Sequence, residues 1–204
     1  MRIRRSWQAA VGGLWLGERV PTFIALLRAV NVGGRYYKMA DLRDHLTGSG
    51  LADVETYIQT GNVRFRTTLR SAARVEAHVE SVLGEHCGFD VPTILFTPEG
   101  LRGVYDDAMA IEPPPFGTGE AQRRYVIFFK DGEAPVREAA DEINAWQHPG
   151  EHARAIGRAV HVWLAHSSQD AKFFGAVKKA LGPGTSRDLK VVTTLADRWA
   201  AAAP

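Results

Sequence analysis

The segment from Thr22 to Thr67 constrains the fold more than any other part of the sequence. Its first run, Thr22–Arg28, is apolar at nearly every position and so would be apolar on both faces of a strand. This pattern predicts a central strand that is covered on both sides. A turn of small residues, Asn31–Gly34, follows, and a helix is then predicted from apolar residues at helical spacing, namely Met39, Leu42 and Leu46.

The residues that follow predict a hairpin, a second helix and a closing strand. Val54–Ile58 and Asn62–Thr67 alternate apolar and polar residues, and Thr60-Gly61 between them is typical of a tight turn. We predict Ser71 as the N-cap of the second helix and Val91–Phe96 as the last strand. The order βαββαβ over residues 20–96 predicts a ferredoxin-like subdomain.

A helix and a linker are predicted next, over residues 97–119. Thr97-Pro98-Glu99 is a strong helix start, because threonine is a good N-cap and proline suits the first helical position. The proline- and glycine-rich stretch Pro113–Gly119 is the clearest linker in the chain.

Residues 120–204 partly repeat the same architecture. The pattern there is βαββα, with Ser168 predicted to cap the last of these helices, and a further helix carries Val191, Leu195 and Trp199 where a fourth strand would be expected. The predicted fold class is therefore α+β, with two ferredoxin-like subdomains of which the second lacks or replaces its last strand.

Residues 1–19 resemble a signal peptide only faintly, since Gly12-Gly13 interrupts a short apolar run. We predict that they are a dispensable extension and that the natural start lies near Val20. The chain has one cysteine, Cys87, so it forms no internal disulfide, and it has no apolar run long enough to span a membrane. These features favour a cytoplasmic protein. A net charge of +2 does not indicate nucleic-acid binding, which stays open as an alternative.

The two turns of the central segment predict a ligand site. In a split βαβ unit the first two strands are parallel, so the loop after the first strand and the turn after the second lie at the same end of the sheet. Glycines let backbone N–H groups converge on an anion, and cationic or amide side chains can add to such a site. The predicted ligand-binding residues of the segment are Arg28, Asn31, Gly33, Gly34, Lys38, Gln59, Thr60, Gly61 and Asn62.

Other interpretations of these residues remain open. Asn and Gly are common in turns for conformational reasons alone. Arg64 and Arg66 beside Tyr57 are also consistent with an RNA- or protein-interaction module that uses the sheet faces. An enzyme using Lys38 or Asp41 for acid–base work is a third hypothesis, for which the sequence offers no accompanying nucleophile and base.

The motif from Leu26 to Gly34, together with Tyr57–Val63 and Gly88–Pro92, resembles the signature of the domain of unknown function 1697 family. The resemblance implies two ferredoxin-like subdomains and no established activity. It also implies that Thr185 and Arg187 match a conserved segment near the C-terminus and belong with the ligand-binding residues. Asp188–Val191 departs from the family pattern there, and Asp188 would weaken a preference for anions.

No metal site or cofactor is expected from the sequence. Cys87 is most simply a small buried residue. His148 and His152 are separated by Pro149-Gly150, so they do not share a helical face as metal ligands would. The expected partner is a small anionic ligand, and the sequence does not determine the oligomeric state.

Overall fold

The computed structural model describes residues 20–112, 123–130 and 138–201. These residues form two βαββαβ units, with one helix between the units and another after them. The first unit contains β1 (Thr22–Leu27), α1 (Met39–Gly48), β2 (Ala52–Tyr57), β3 (Asn62–Arg66), α2 (Ala72–Cys87) and β4 (Thr93–Phe96). The helix between the units is α3 (Pro98–Ala110). The second unit contains β5 (Arg123–Phe128), α4 (Ala140–Asn144), β6 (Glu151–Ile156), β7 (Ala159–Leu164), α5 (Phe173–Leu181) and β8 (Thr185–Asp188), and α6 (Leu189–Trp199) follows it.

Strand β1 lies in the interior of the first sheet, whose order is β2-β3-β1-β4 with all neighbours antiparallel. Every residue from Phe23 to Leu27 is buried. Phe23, Ala25 and Leu27 pack in one core with α1 and α2, whereas Ile24 and Leu26 lie in a second core on the opposite face. The prediction of a central strand covered on both sides is therefore confirmed.

The second sheet also has four strands, in the order β6-β7-β5-β8, which corrects one part of the predicted fold. The α+β class with two ferredoxin-like units is confirmed, but the second unit does not lack its last strand. Strand β8 pairs antiparallel with β5, from Tyr125 opposite Asp188 to Phe128 opposite Thr185. The sequence Thr-Ser-Arg-Asp carries no apolar alternation, so periodicity alone could not identify it as a strand.

The two sheets pack face to face through the second core. Ile24 and Leu26 of β1 lie in it together with Val126 and Phe128 of β5. The ring of Phe128 meets that of Phe96 edge-on, with ring centroids 5.4 Å apart. Helices α3 and α6 complete this core, and α4 and α5 cover the far face of the second sheet. The order of layers is helices, sheet, sheet, helices.

The helix starts show which predicted caps are correct. Thr97 accepts a hydrogen bond from the backbone N–H of Gly100 at 3.0 Å, which confirms it as the N-cap of α3. Ser71 precedes α2 but its side chain forms no capping bond. Ser168 does not cap α5, because that helix begins at Phe173 with Lys172 as its N-cap. Residues 1–19 and the Pro113–Gly119 linker lie outside the described residues.

Candidate functional site

The loop after β1 and the turn between β2 and β3 lie side by side at one end of the first sheet. The backbone N–H of Leu27 donates to the carbonyl of Gly61 at 2.7 Å. The side-chain amide of Asn31 donates to the carbonyl of Gln59 at 2.8 Å. The same Asn31 side chain also bonds within its own loop. Its amide N–H donates to the carbonyl of Tyr37, and its Oδ1 accepts from the backbone N–H of Tyr37. The two turns are therefore bonded to each other, as the strand order requires.

The backbone of these two turns is strained. Among the described residues other than glycine, Ala29, Asn31 and Ile58 have φ angles of 58°, 56° and 50°. Such left-handed conformations cost roughly 1–3 kcal/mol each, and they are least favourable for a β-branched residue such as isoleucine. Strain of this kind concentrates at functional sites and persists only where the surrounding contacts enforce it.

Arg187 of β8 reaches from the second unit into this end of the first sheet. Its Nε donates to Oδ1 of Asn62 at 2.7 Å, and one terminal nitrogen donates to the carbonyls of Leu27 and Thr60 at 2.9 and 2.8 Å. The other terminal nitrogen bonds within β8, to Oγ1 of Thr185 at 2.8 Å and to the carbonyl of Ser186 at 2.9 Å. One guanidinium group thus fastens β8 to both β1 and the β2–β3 turn.

The charge of Arg187 is buried without a described carboxylate partner. The residue is only 7% exposed, and all its hydrogen-bond acceptors are neutral oxygens. Burial lowers the pKa of Arg187 to about 10, so the group remains protonated at neutral pH. A buried and unneutralised cation makes the potential around it positive.

A pocket of about 290 Å³ opens beside this guanidinium, and we call it the junction pocket. It is lined by Leu27, Arg28, Ala29, Val30, Val32, Thr60, Gly184, Thr185, Ser186 and Arg187. The side chain of Arg28 forms no hydrogen bond or ion pair with any other described residue. No carboxylate stands among the described lining residues.

The hydroxyl groups of Thr60 and Thr185 in the junction pocket can each still donate a hydrogen bond. Oγ1 of Thr185 already accepts from Arg187, and Oγ1 of Thr60 accepts from the side-chain amide of Asn62 at 3.1 Å. A hydroxyl that accepts one bond still carries an O–H that can donate another. Together with Arg28, these groups offer donors and positive charge to a bound molecule.

The structure brings only some of the predicted site residues to the junction pocket. Arg28, Thr60, Thr185 and Arg187 line it. Behind it, Asn31, Gln59, Gly61 and Asn62 use their polar groups in the internal bonds described above. The amides of Asn31 and Asn62 are fully engaged in those bonds, so they do not face a ligand. Gly33, Gly34 and Lys38 are exposed and do not line the pocket, because the loop carries them outward before α1 begins.

Gly184 is a lining residue that the sequence analysis did not identify as part of a site. A Cβ atom at this position would lie 2.7 Å from a methyl of Ile127 and 2.9 Å from the carbonyl oxygen of Phe128. Glycine is therefore required there for packing against β5. In the sequence, Gly182-Pro183-Gly184 appears only as the end of a helix.

His161 of β7 is a second residue whose character the sequence did not predict. It is 2% exposed, and neither ring nitrogen has a hydrogen-bond partner. Burial, with a smaller contribution from the nearby Arg124, lowers the pKa of His161 to about 4. The ring is therefore neutral at physiological pH.

The residues that suggested an RNA- or protein-interaction module make contacts within the molecule. Both faces of the first sheet are covered by packed residues. Arg64 pairs with Glu55 at 3.7 Å and Arg66 with Asp53 at 3.0 Å, while Tyr57 lies beneath the guanidinium of Arg198. Within the described part of the chain no group of three or more potential metal ligands occurs, and no helix is long and apolar enough to cross a membrane.

The fold and the junction pocket define a two-unit α+β protein with a small, donor-lined pocket where its units meet. The chain belongs to DUF1697, a family of proteins of unknown function, whose model matches residues 20–161. The match includes both turns of the pocket and ends before β8, so Thr185 and Arg187 lie beyond it.

One solved structure supports the fold over nearly the whole chain. It is "The structure of conserved bacterial protein SP0830 from Streptococcus pneumoniae", which is 22% identical, covers 88% of this chain and 98% of its own, and has a TM-score of 0.67. At this identity the likeness shows the fold alone. A comparison with curated proteins gives no significant match.

Proposed function

We propose that this protein binds a small ligand carrying a phosphate or carboxylate group in the junction pocket. One observation carries the proposal: two guanidinium groups, Arg28 and Arg187, line a pocket in which no described carboxylate neutralises them. An anion there would gain charge-assisted hydrogen bonds from Arg28, in surroundings less polar than water. Arg187 would add the attraction of its positive charge, since its own N–H groups are used in bonds within the protein. The proposed location is the cytoplasm, which fits a single, partly buried free thiol at Cys87.

The size of the junction pocket supports a small ligand or a single anionic group of a larger one. Its volume of about 290 Å³ lies at the low end of ligand sites, which usually span about 300–1,000 Å³. A nucleotide would place one phosphate in the pocket and its base outside. Exposed apolar side chains on the two turns, Val32, Tyr36 and Ile58, are available for such an outer contact.

The strained turns also support a binding role. Their left-handed residues hold the lining of the pocket in one arrangement before any ligand arrives, at a cost in stability. A preorganised site loses less free energy when it binds, because fewer groups must be ordered. A purely connecting turn gains nothing from strain at Ala29 and Ile58.

The test is ligand-induced thermal stabilisation followed by calorimetric titration, at constant ionic strength. The probes are inorganic phosphate, small sugar phosphates, dicarboxylates and nucleotides. A ligand at a hundred times its Kd stabilises the folded state by about 2.7 kcal/mol, which is readily seen as a rise in Tm.

The decisive comparison is between two arginine variants. We expect Arg28→Ala to weaken binding about tenfold or more, since one charge-assisted bond contributes roughly 1.5–3 kcal/mol. Arg74→Ala is the matched control, because Arg74 is exposed on α2 at the opposite end of the first sheet. If no anion raises the Tm, or if both variants weaken binding equally, the junction pocket is not an anion site.

A further inference from the structure

Strand β4 forms one edge of the first sheet, and among the described residues no strand lies beside its outward backbone groups. The outward residues are Thr93 and Leu95, and both of their N–H groups and the Leu95 carbonyl bond to side chains instead. The N–H of Thr93 donates to Oε1 of Glu80 at 2.8 Å, and the N–H of Leu95 donates to Oε1 of Glu76 at 3.2 Å. The carbonyl of Leu95 accepts from the guanidinium of Arg158.

The spacing of the two glutamates matches the spacing of the strand. Glu76 and Glu80 are four residues apart on α2, a rise of about 6 Å along a helix. Thr93 and Leu95 are two residues apart on β4, a rise of about 6.6 Å along a strand. Successive carboxylates therefore occupy the positions that successive carbonyl groups of another strand would occupy.

Two cations from the second unit complete this arrangement. Lys130 Nζ lies 2.9 Å from Glu80 and 3.9 Å from Glu76, so it bridges the two carboxylates. Arg158, in the β6–β7 turn, lies 3.9 Å above the ring of Phe96 and donates to the Leu95 carbonyl. Burial raises the pKa of Glu76, while Lys130 and the Leu95 N–H act in the opposite direction. The second unit thus offsets part of the cost of burying these acids.

Open space lies on both sides of the capped groups. A cleft of about 560 Å³ is bordered by Glu76, Leu95 and Arg158, and another of about 300 Å³ is bordered by Glu80 and Lys130. Within the part of the chain that the structure describes, side chains and not a packed strand or helix therefore occupy the hydrogen-bonding edge of β4. An edge strand left uncovered is a template for pairing with another chain.

We infer that Glu76, Glu80 and Arg158 form a side-chain cap that takes the place of a fifth strand and keeps β4 from pairing with a second copy of this chain. The cap satisfies the two outward N–H groups and the Leu95 carbonyl of β4 within one molecule. Its removal leaves an N–H or carbonyl with unmet bonding capacity, and an identical edge on a second molecule offers the complementary groups. This inference is independent of the junction pocket.

The experiment compares cap variants with wild type by sedimentation velocity over a wide concentration range, together with hydrogen exchange at the Thr93 and Leu95 amides. The variants are Glu80→Ala, Arg158→Ala and the double variant Glu76→Ala/Glu80→Ala. The single variants keep the test valid if the double variant fails to fold. We expect association that grows with concentration, with both amides protected at high concentration. At low concentration we expect the uncapped amide to exchange about tenfold faster or more, because a hydrogen bond to a charged group contributes roughly 1.5–3 kcal/mol.

Two control variants distinguish the effect of losing the cap from the effect of losing a negative charge and from the effect of changing α2. Glu80→Gln keeps an acceptor for the Thr93 N–H and should sediment like wild type, whereas Glu85→Ala removes an exposed acid of the same helix and should also leave sedimentation unchanged. The inference is overturned if the folded cap variants sediment like wild type at every concentration. It is also overturned if they associate while the Thr93 and Leu95 amides exchange freely, since the contact would then lie elsewhere.

Discussion

At the scale of single residues, Arg187 shows how one side chain can connect two units. All its bonds go to neutral oxygens, four of which belong to the first unit, to Leu27, Thr60, Gly61 and Asn62. Arginine suits this position because its planar group presents five donors in fixed directions, whereas lysine presents three from one point. The residue therefore has a structural role whether or not a ligand binds beside it.

Replacing Arg187 tests that structural role. Arg187→Met keeps an apolar stem but leaves the buried carbonyls and the Asn62 amide without donors, so we expect a loss of about 2–4 kcal/mol in the free energy of unfolding. Urea denaturation measures it. Arg198→Ala, which removes a half-exposed arginine paired with Glu55, should cost about 1 kcal/mol or less. Equal losses in the two variants would contradict this assignment.

His161 makes the stability of the protein depend on pH. Because its pKa falls from about 6.5 unfolded to about 4 folded, the unfolded chain binds the proton more tightly. The stability associated with the neutral ring is complete above about pH 6.5 and is lost as the pH falls towards 4, by about 3 kcal/mol in total.

Denaturation at a series of pH values from 7 down to 4 tests this expectation. His161→Leu has no proton to bind, so the free energy of unfolding should fall less steeply over that range than in wild type. Val160→Ala provides a control, because it truncates a buried side chain of the same strand without removing a titratable group, and it should keep the wild-type slope. Identical slopes in all three proteins would mean that His161 does not account for the acid sensitivity.

At the scale of the elements, α5 shows why the local sequence predicts the wrong N-cap residue. The N-terminal N–H groups of this helix, at Lys172 and Phe173, donate to the buried carboxylate of Glu151 at 2.7 and 2.9 Å. The same carboxylate accepts from the indole N–H of Trp146 at 3.1 Å. Glu151 of β6, more than twenty positions earlier in the chain, therefore accepts the hydrogen bonds that Ser168 was predicted to accept as the N-cap.

We expect Glu151→Ala to destabilise the protein by about 2–4 kcal/mol, because it leaves the buried N–H of Phe173 and two partly buried N–H groups without an acceptor. Ser168→Ala should change the free energy of unfolding by about 0.5 kcal/mol or less, as for a surface residue without a capping bond. Chemical denaturation of the two variants under identical conditions measures both values. A larger loss for Ser168→Ala than for Glu151→Ala would restore the original prediction.

At the scale of the whole molecule, the shared core between the sheets makes the two units depend on one another. Ile24, Phe96 and Phe128 belong to the same core although they come from different units. Each unit uses one face of its sheet for its own helices and the other face for this shared core. Exposing that apolar face by separating the units would be unfavourable.

We therefore expect the units to unfold together. Phe128→Ala, a truncation in the shared core, should cost about 3–5 kcal/mol while leaving a single transition. With Trp7 and Trp15 replaced by phenylalanine, tryptophan fluorescence follows the second unit through Trp146 and Trp163 and the shared core through Trp199. The reactivity of the Cys87 thiol follows the first unit. Coincident transitions by the two probes are the expected result, and separate midpoints would show that the units fold independently.

Much of the first unit was predictable because its signals are local. A strand apolar on both faces, a hairpin at Thr60-Gly61 and a capped helix at Thr97 each depend on a few neighbouring residues. The proximity of the two turns followed from topology. By contrast, Gly33, Gly34 and Lys38 were predicted from a local pattern alone, glycine and lysine near a helix start, and they do not line the junction pocket.

The sequence by itself determined the class of fold, the position of the buried central strand and the end of the sheet where the two turns meet. The tertiary structure decided that Thr185–Asp188 is a strand, since pairing with β5 supplies what its own residues lack. It also decided that Asn31 and Asn62 hold the site together while Arg28 and Thr185 line it. The physical reason is that hydrogen-bond partners distant in sequence determine which polar groups are already satisfied and which remain free to bind a ligand.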